Sequence, residues 1–203
     1  GQGVVQSFEK VAEFCAMATE QGHVQAMYHL GMMYQDGKGV AQSSEKAAEF
    51  WTMAAEQGHV SAMDVLGCLY FQGVGIQGIG VDQADKLARE WWIKAANGGS
   101  ENAALQVARM YEHGTWCGKE VAQSYQKAIE LYTVAAEKNN TDAMFRLGVM
   151  HYHGNGVGKS YATAREWWAK GAEQGNKDCM RDLKKIDEEE TTTPSTTTST
   201  ETT

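Results

Sequence analysis

Apolar residues recur along most of the chain at intervals of three and four, the spacing that gathers them on one side of an α-helix. The run from about Ala26 to Gln35 predicts one helix, and the run from about Ser43 to Glu56 predicts a second. This pair then repeats. Ala26-Met27-Tyr28-His29-Leu30-Gly31, followed by Tyr34, Gly37, Gly39-Val40, Ala47, Trp51, Ala54-Ala55 and Gly58, has later copies starting at Ala62, Ala103 and Ala143 and a partial copy at Cys179. The steps are 36, 41, 40 and 36 residues, with the spacing inside each apolar block kept. The extra length therefore belongs to loops, one around Gly73 to Gly80 and one around Thr115 to Glu120.

Polar punctuation agrees with this reading. Gly22, Gly58, Gly99 and Gly175 each follow a second helix, where a left-handed residue closes the C-terminus, and the remaining copy has Asn139. Ser7, Ser43, Ser124 and Ser160 open the second helices with side-chain oxygens able to cap free N–H groups; the third unit has Ala84 there, which leaves Asp82 as its expected cap. Small residues mark close helix approach: Gly31, Gly67, Ala108 and Gly148 on first helices, Ala54, Ala95, Ala135 and Gly171 on second ones. Trp51, Trp92, Tyr132 and Trp168 form one column of large side chains, with Phe50, Trp91, Leu131 and Trp167 beside it. Stacked hairpins bury a core that no unit buries alone, and truncating one large member to alanine costs about 3–5 kcal/mol.

The pattern Ala-x-x-x-Leu-Gly-x-x-Tyr-x-x-Gly-x-Gly-Val, then Lys-Ala, an aromatic, Ala-Ala and Gly-His, resembles the Sel-one-like repeat family, relatives of the tetratricopeptide repeats. Departures are Ala108 for the glycine, His151 for the tyrosine, Leu87 for the lysine and the two longer loops. The resemblance covers about residues 1 to 186 and implies an all-α fold, a right-handed α/α superhelical solenoid of helix-turn-helix repeats, with an adaptor role. The expected organisation is a partial unit 1–24, full units at about 25–60, 61–101, 102–141 and 142–177, a partial unit 178–186, and an acidic then Thr-rich disordered tail 187–203. Gly1 to Ser7 align with Gly37 to Ser43, inside an inter-helix loop, so further repeats or another domain N-terminal to Gly1 are expected.

Composition sharpens what the array does. The formal net charge is −8, but five acids and no base follow Ile186, which leaves −3 for the repeats. No run of lysine or arginine exists to track a phosphate backbone, which argues against nucleic acid, and no apolar stretch is long enough for membrane insertion. Cys15, Cys68, Cys117 and Cys179 lack C-x-x-C or repeated partner spacing, so free thiols and a cytoplasmic setting are favoured over a metal site or disulfide framework. A secreted or surface-exposed protein with an O-glycosylated tail is the alternative, since nine threonines, two serines and Pro194 lie between Thr191 and Thr203.

Catalytic-looking strings have simpler explanations. Ser43-Ser44-Glu45-Lys46 fits Ser-x-x-Lys, but so do Ser7 to Lys10 and Ser124 to Lys127, and a capping serine accounts for all three. Gly73-Val74-Gly75-Ile76-Gln77-Gly78 fits a dinucleotide fingerprint with no strand before it. His151 and His153 point in different directions on a helix, and His113 shares a column with His153, so no metal is expected. The reading is a non-enzyme with no cofactor.

Columns that change from unit to unit are free to recognise a partner. Tyr28, Met32 and Gln35 share one helix face by their spacing, as do Asp64, Cys68 and Phe71, then Leu105, Arg109 and Glu112, then Phe145, Val149 and Tyr152. The resemblance to tetratricopeptide arrays implies that these columns line a concave groove. With aromatic anchors and Asp64, Arg109 and Glu112 as orienting charges, that groove would suit a peptide or helix of a protein partner.

Overall fold

The computed structural model describes residues 2–72, 80–116 and 119–192. Helix follows helix through them: α1 (Gln2–Glu20), α2 (Val24–Asp36), α3 (Ser44–Glu56), α4 (Val60–Gln72), α5 (Val81–Asn97), α6 (Glu101–His113), α7 (Tyr125–Glu137), α8 (Thr141–His153), α9 (Tyr161–Glu173) and α10 (Lys177–Thr192). Two compact units result, Gly1–Gln123 and Ser124–Thr203. Within each, consecutive helices pack on one another, giving the all-α stack of hairpins that the periodicity predicts.

In the first unit α2 pairs with α3 and α4 with α5, and glycine sets how closely. A Cβ built on Gly31 would lie 2.5 Å from Trp51 Nε1, and one on Gly67 would run into the Trp92 indole. The second unit repeats this between Gly148 and Trp168. The indoles are 4%, 3% and 3% exposed, so each N–H must find an acceptor inside the stack. Trp51 donates to the Tyr28 carbonyl at 3.2 Å and Trp168 to the Phe145 carbonyl at 3.1 Å, at the same register of their repeats.

Helix ends follow the punctuation, with two corrections. Ser43, Ser124 and Ser160 accept N–H bonds from Lys46, Lys127 and Thr163. Ser7, by contrast, is internal to α1, which starts at Gln2. Asp82 is no cap either: Gly80 holds that position without a side-chain bond, and Asp82 lies in the first turn of α5, paired with Lys119 at 2.7 Å. Gly22, Gly58, Gly99 and Gly175 all have positive φ, and Asn139, at φ 67°, is the non-glycine residue that joins them.

Four first helices have a side-chain cap of their own, whereas His23, at the same column before α2, makes no such bond. His59 Nδ1 accepts from the Ala62 N–H at 3.2 Å, Ser100 Oγ from Ala103 at 3.2 Å, Asn140 Oδ1 from Ala143 at 2.9 Å and Asn176 Oδ1 from Cys179 at 3.0 Å. One imidazole thus does the work of a hydroxyl or an amide.

The longer turn after α6 is a small antiparallel hairpin, β1 (Thr115–Trp116) with β2 (Lys119–Glu120). Lys119 fastens it to α5 through Asp82 and, at 3.2 Å, Asp85. In the second unit α10 continues past Ile186, the expected end of the array, to Thr192. Arg165 holds Asp187 at 2.8 Å, and Lys184 lies one turn before Glu188 at 3.7 Å, so the acidic segment has partners that favour helix. The Gly73 to Gly78 motif, Cys117 and the Thr-rich residues from 193 onward lie outside the described residues.

Candidate functional site

The stripe predicted on the first helices divides into side chains committed to the fold and side chains open to solvent. On α2, the Tyr28 ring stacks on His59 at 4.6 Å and 21°, joining the first repeat to the second. Met32 is 41% exposed. Gln35 is half-buried; its main-chain carbonyl accepts from Gln42 Nε2 at 2.8 Å, while its side-chain Oε1 has no partner among the described residues.

On α4, Asp64 is a hub. Its carboxylate accepts from Trp92 Nε1 at 3.0 Å, Ser100 Oγ at 2.8 Å and Asn102 Nδ2 at 2.9 Å. Expected as an orienting charge, Asp64 has its acceptor capacity engaged by α5 and by the start of α6. Burial, and then the neighbouring Asp64 charge, push the half-buried Cys68 thiol up, so Cys68 is held as a neutral thiol and is a poor nucleophile. Phe71 differs from both. It is 51% exposed, and its ring rests 5.4 Å from Trp92 and 5.7 Å from Trp116, which meet each other edge-on at 5.3 Å.

On α6, Leu105 and Glu112, expected on the open face, are 7% and 9% exposed. Leu105 is apolar enough to join the core. Glu112 is drawn in beside the hairpin loop, where its carbonyl accepts from Gln123 Nε2 at 2.8 Å. Arg109 is half-buried.

In the second unit Phe145, Val149 and Tyr152 are half-buried against a cluster of Ala164, Trp168, Cys179 and Ile186. Tyr152 lies 5.6 Å from Trp168 and 5.1 Å from Tyr161, with Lys159 at 6.0 Å and Lys185 at 5.8 Å from its ring centre. α10 occupies this part of the stripe. Burial pushes the thiol of Cys179, which α10 itself carries, up to about 11.

Sequence reasoning missed Trp116. It lies in the lengthened turn around Thr115 to Glu120, where a tryptophan among otherwise polar residues is a signal of packing. It is 9% exposed, and its Nε1 has no hydrogen-bond partner among the described residues.

Of the catalytic-looking serines, Ser43 and Ser124 are engaged as helix caps. Ser43 Oγ accepts from the Lys46 N–H and donates to Glu45 at 3.1 Å, and the Lys46 ammonium lies over the Tyr34 ring at 5.1 Å, away from the hydroxyl it would have to deprotonate. Among the described residues, no group of three or more His, Cys, Asp or Glu could hold a metal ion, and no helix is long and apolar enough to cross a membrane.

Known proteins share this architecture. A Sel1 repeat protein of Oxalobacter formigenes superposes with a TM-score of 0.76 at 33% identity, over 89% of this chain and 49% of its own. The uropathogenic Escherichia coli protein c5321, a protective antigen displaying an SLR fold, does so with a TM-score of 0.78 at 33% identity, over 88% of this chain and 36% of its own. Among curated proteins, the ERAD-associated E3 ubiquitin-protein ligase components HRD3B and HRD3A of Arabidopsis thaliana are 31% and 30% identical, each over 47% of this chain. The chain spans 15% and 14% of the length of those two relatives. The Sel1 repeat model matches four times, at residues 24–59, 60–100, 102–140 and 141–176, and with the hairpins and glycine–tryptophan contacts described above it establishes that the chain belongs to the Sel1 repeat family.

Proposed function

We propose that the chain is a non-catalytic interaction scaffold that binds a peptide or helix of a protein partner on the first-helix face of its first unit. One observation carries this reading. Phe71 presents a half-exposed ring on a rigid support of Trp92 and Trp116, in a column that no folding constraint holds constant. A preorganised aromatic surface loses little entropy on binding, and aromatic anchors dominate the energetics of such contacts. Two relatives named as components of an E3 ubiquitin-protein ligase support a role inside an assembly.

The test compares two exposed positions. Partners crosslinked to the purified chain are identified, and each is then measured against Phe71→Ser and against Met53→Ser, whose side chain is 41% exposed on a second helix. Loss of at least tenfold in affinity with Phe71→Ser and none with Met53→Ser is expected. Equal effects would place binding elsewhere.

A further inference from the structure

By register, α1 is a second helix of the repeat: Val11, Phe14, Cys15 and Ala18 fall where α3 has Ala47, Phe50, Trp51 and Ala54. On α3 that surface is covered by α2. Ala47 and Trp51 are 0% and 4% exposed, Gly31 sits against the indole, and Tyr34 stacks on Phe50 at 5.5 Å and 11°. On α1 the matching positions are open, with Val11 45% and Phe14 69% exposed. Together α1 and α2 border a groove of about 390 Å³, walled by Phe8, Val11, Cys15, His29, Met32 and Met33.

The last helix provides the contrast. α10 has the register of a first helix, but carries Lys184 where α2, α4 and α8 have Gly31, Gly67 and Gly148. Among its described side chains Met180 is the one large exposed apolar residue, beside Arg181, Lys184 and Lys185. A helix surface this polar is one that water covers well. The α1 face is apolar, and water is a poor cover for it.

We infer that the α1–α2 groove receives an amphipathic helix that lies on α1 as α2 lies on α3, and that this helix differs from α2, α4 and α8 at one register. Where those carry glycine against tryptophan, the occupant carries a large apolar side chain, because Cys15 leaves unfilled the volume an indole takes on α3. Three residues further on it carries an aromatic ring, to stack on Phe14 as Tyr34 stacks on Phe50. The occupant is thus defined by its chemistry: a helix reading leucine, large apolar, two variable residues, then tyrosine. This groove shares Met32 with the predicted stripe but does not include Phe71, so the Phe71→Ser comparison and the peptide series can fail separately.

The experiment uses the full chain and synthetic peptides of the α2 sequence, Val24 to Asp36, held helical by a lactam on the side away from Gly31. Peptides with Gly31 unchanged and with Gly31→Ala, Gly31→Val and Gly31→Leu are compared by fluorescence anisotropy, with iodoacetamide labelling of Cys15 read by mass spectrometry. Affinity is expected to rise at least tenfold from glycine to leucine, with Cys15 protected in proportion to peptide bound. Tyr34→Ser in the leucine peptide should remove most of the gain. In a Cys15→Trp chain that stays helical by circular dichroism, the order should reverse in favour of glycine; if that chain does not fold, the size series on the native chain decides. Flat or falling affinity across the series overturns the inference. So does protection of Cys15 by self-association in the absence of peptide, which would assign the groove to a second copy.

Discussion

The Trp92 indole donates to the Asp64 carboxylate at 3.0 Å, whereas Trp51 and Trp168 donate to the main-chain carbonyls of Tyr28 and Phe145 at the matching register. One repeat has replaced a backbone acceptor with a charged side chain and added Ser100 and Asn102 to it. Asp64→Ala should therefore destabilise the first unit by about 1–3 kcal/mol, because it leaves the buried Trp92 N–H without its acceptor. Asp64→Asn, which keeps one carbonyl acceptor, should cost less. Urea denaturation followed by tryptophan fluorescence measures both.

Gly31 and Gly67 face indoles at contact distance. Adding a methyl group at either should cost about 1–3 kcal/mol by overpacking, although alanine is the better helix former in isolation. Thermal melts of Gly31→Ala and Gly67→Ala give the sign. Stabilisation by either would mean that the indole has room to move.

Asn139 is held at φ 67°, in the column where four other repeats have glycine. Asn139→Ala should lose about 1–2 kcal/mol to left-handed strain, while Asn139→Gly should match the native chain or exceed it. The pair of melting temperatures checks this directly.

His59 accepts the Ala62 N–H on Nδ1, so Nε2 carries the proton and faces Gln25 Oε1 at 3.0 Å. Burial, the leading cause, holds its pKa below the ordinary 6.5, with the backbone bond opposing and His29 adding to the lowering. Because the folded pKa is the lower one, the unfolded chain takes up the proton first. The stabilisation is full above about pH 6.5 and is lost as pH falls from there through the folded value. His151, lowered by burial, adds to the same acid-side loss. His59→Asn keeps a cap of the Asn140 kind and should flatten the dependence of stability on pH between 5 and 7. Denaturant midpoints across that range test it, and an unchanged slope would remove His59 as a source.

How much could be read beforehand depended on whether a residue repeats. The left-handed glycines with Asn139, the serine caps at 43, 124 and 160, and the tryptophan column all recur in register, and recurrence exposes a backbone or packing demand without any coordinates. Ser7 matched the cap pattern yet lies within a helix, since a serine fits a helical turn as well as a cap when nothing breaks the chain before it. Of the proposed recognition residues, the sequence identified the columns but not which members reach solvent. Leu105 and Glu112 are buried, and Phe145, Val149 and Tyr152 pack beside α10, because exposure depends on the neighbour laid over each helix.

By itself, then, the amino-acid order settled the helical hairpins and the register of their repeated positions, since these follow from local periodicity and from glycines that must sit at particular backbone angles. Tertiary structure decided the rest: that Asp64 serves an indole, that Trp116 folds back beneath Phe71, and that Phe14 and Val11 stand open. Those outcomes rest on contacts between residues 28 or more positions apart, or on a covering helix, and no periodicity within one segment encodes what lies across from it.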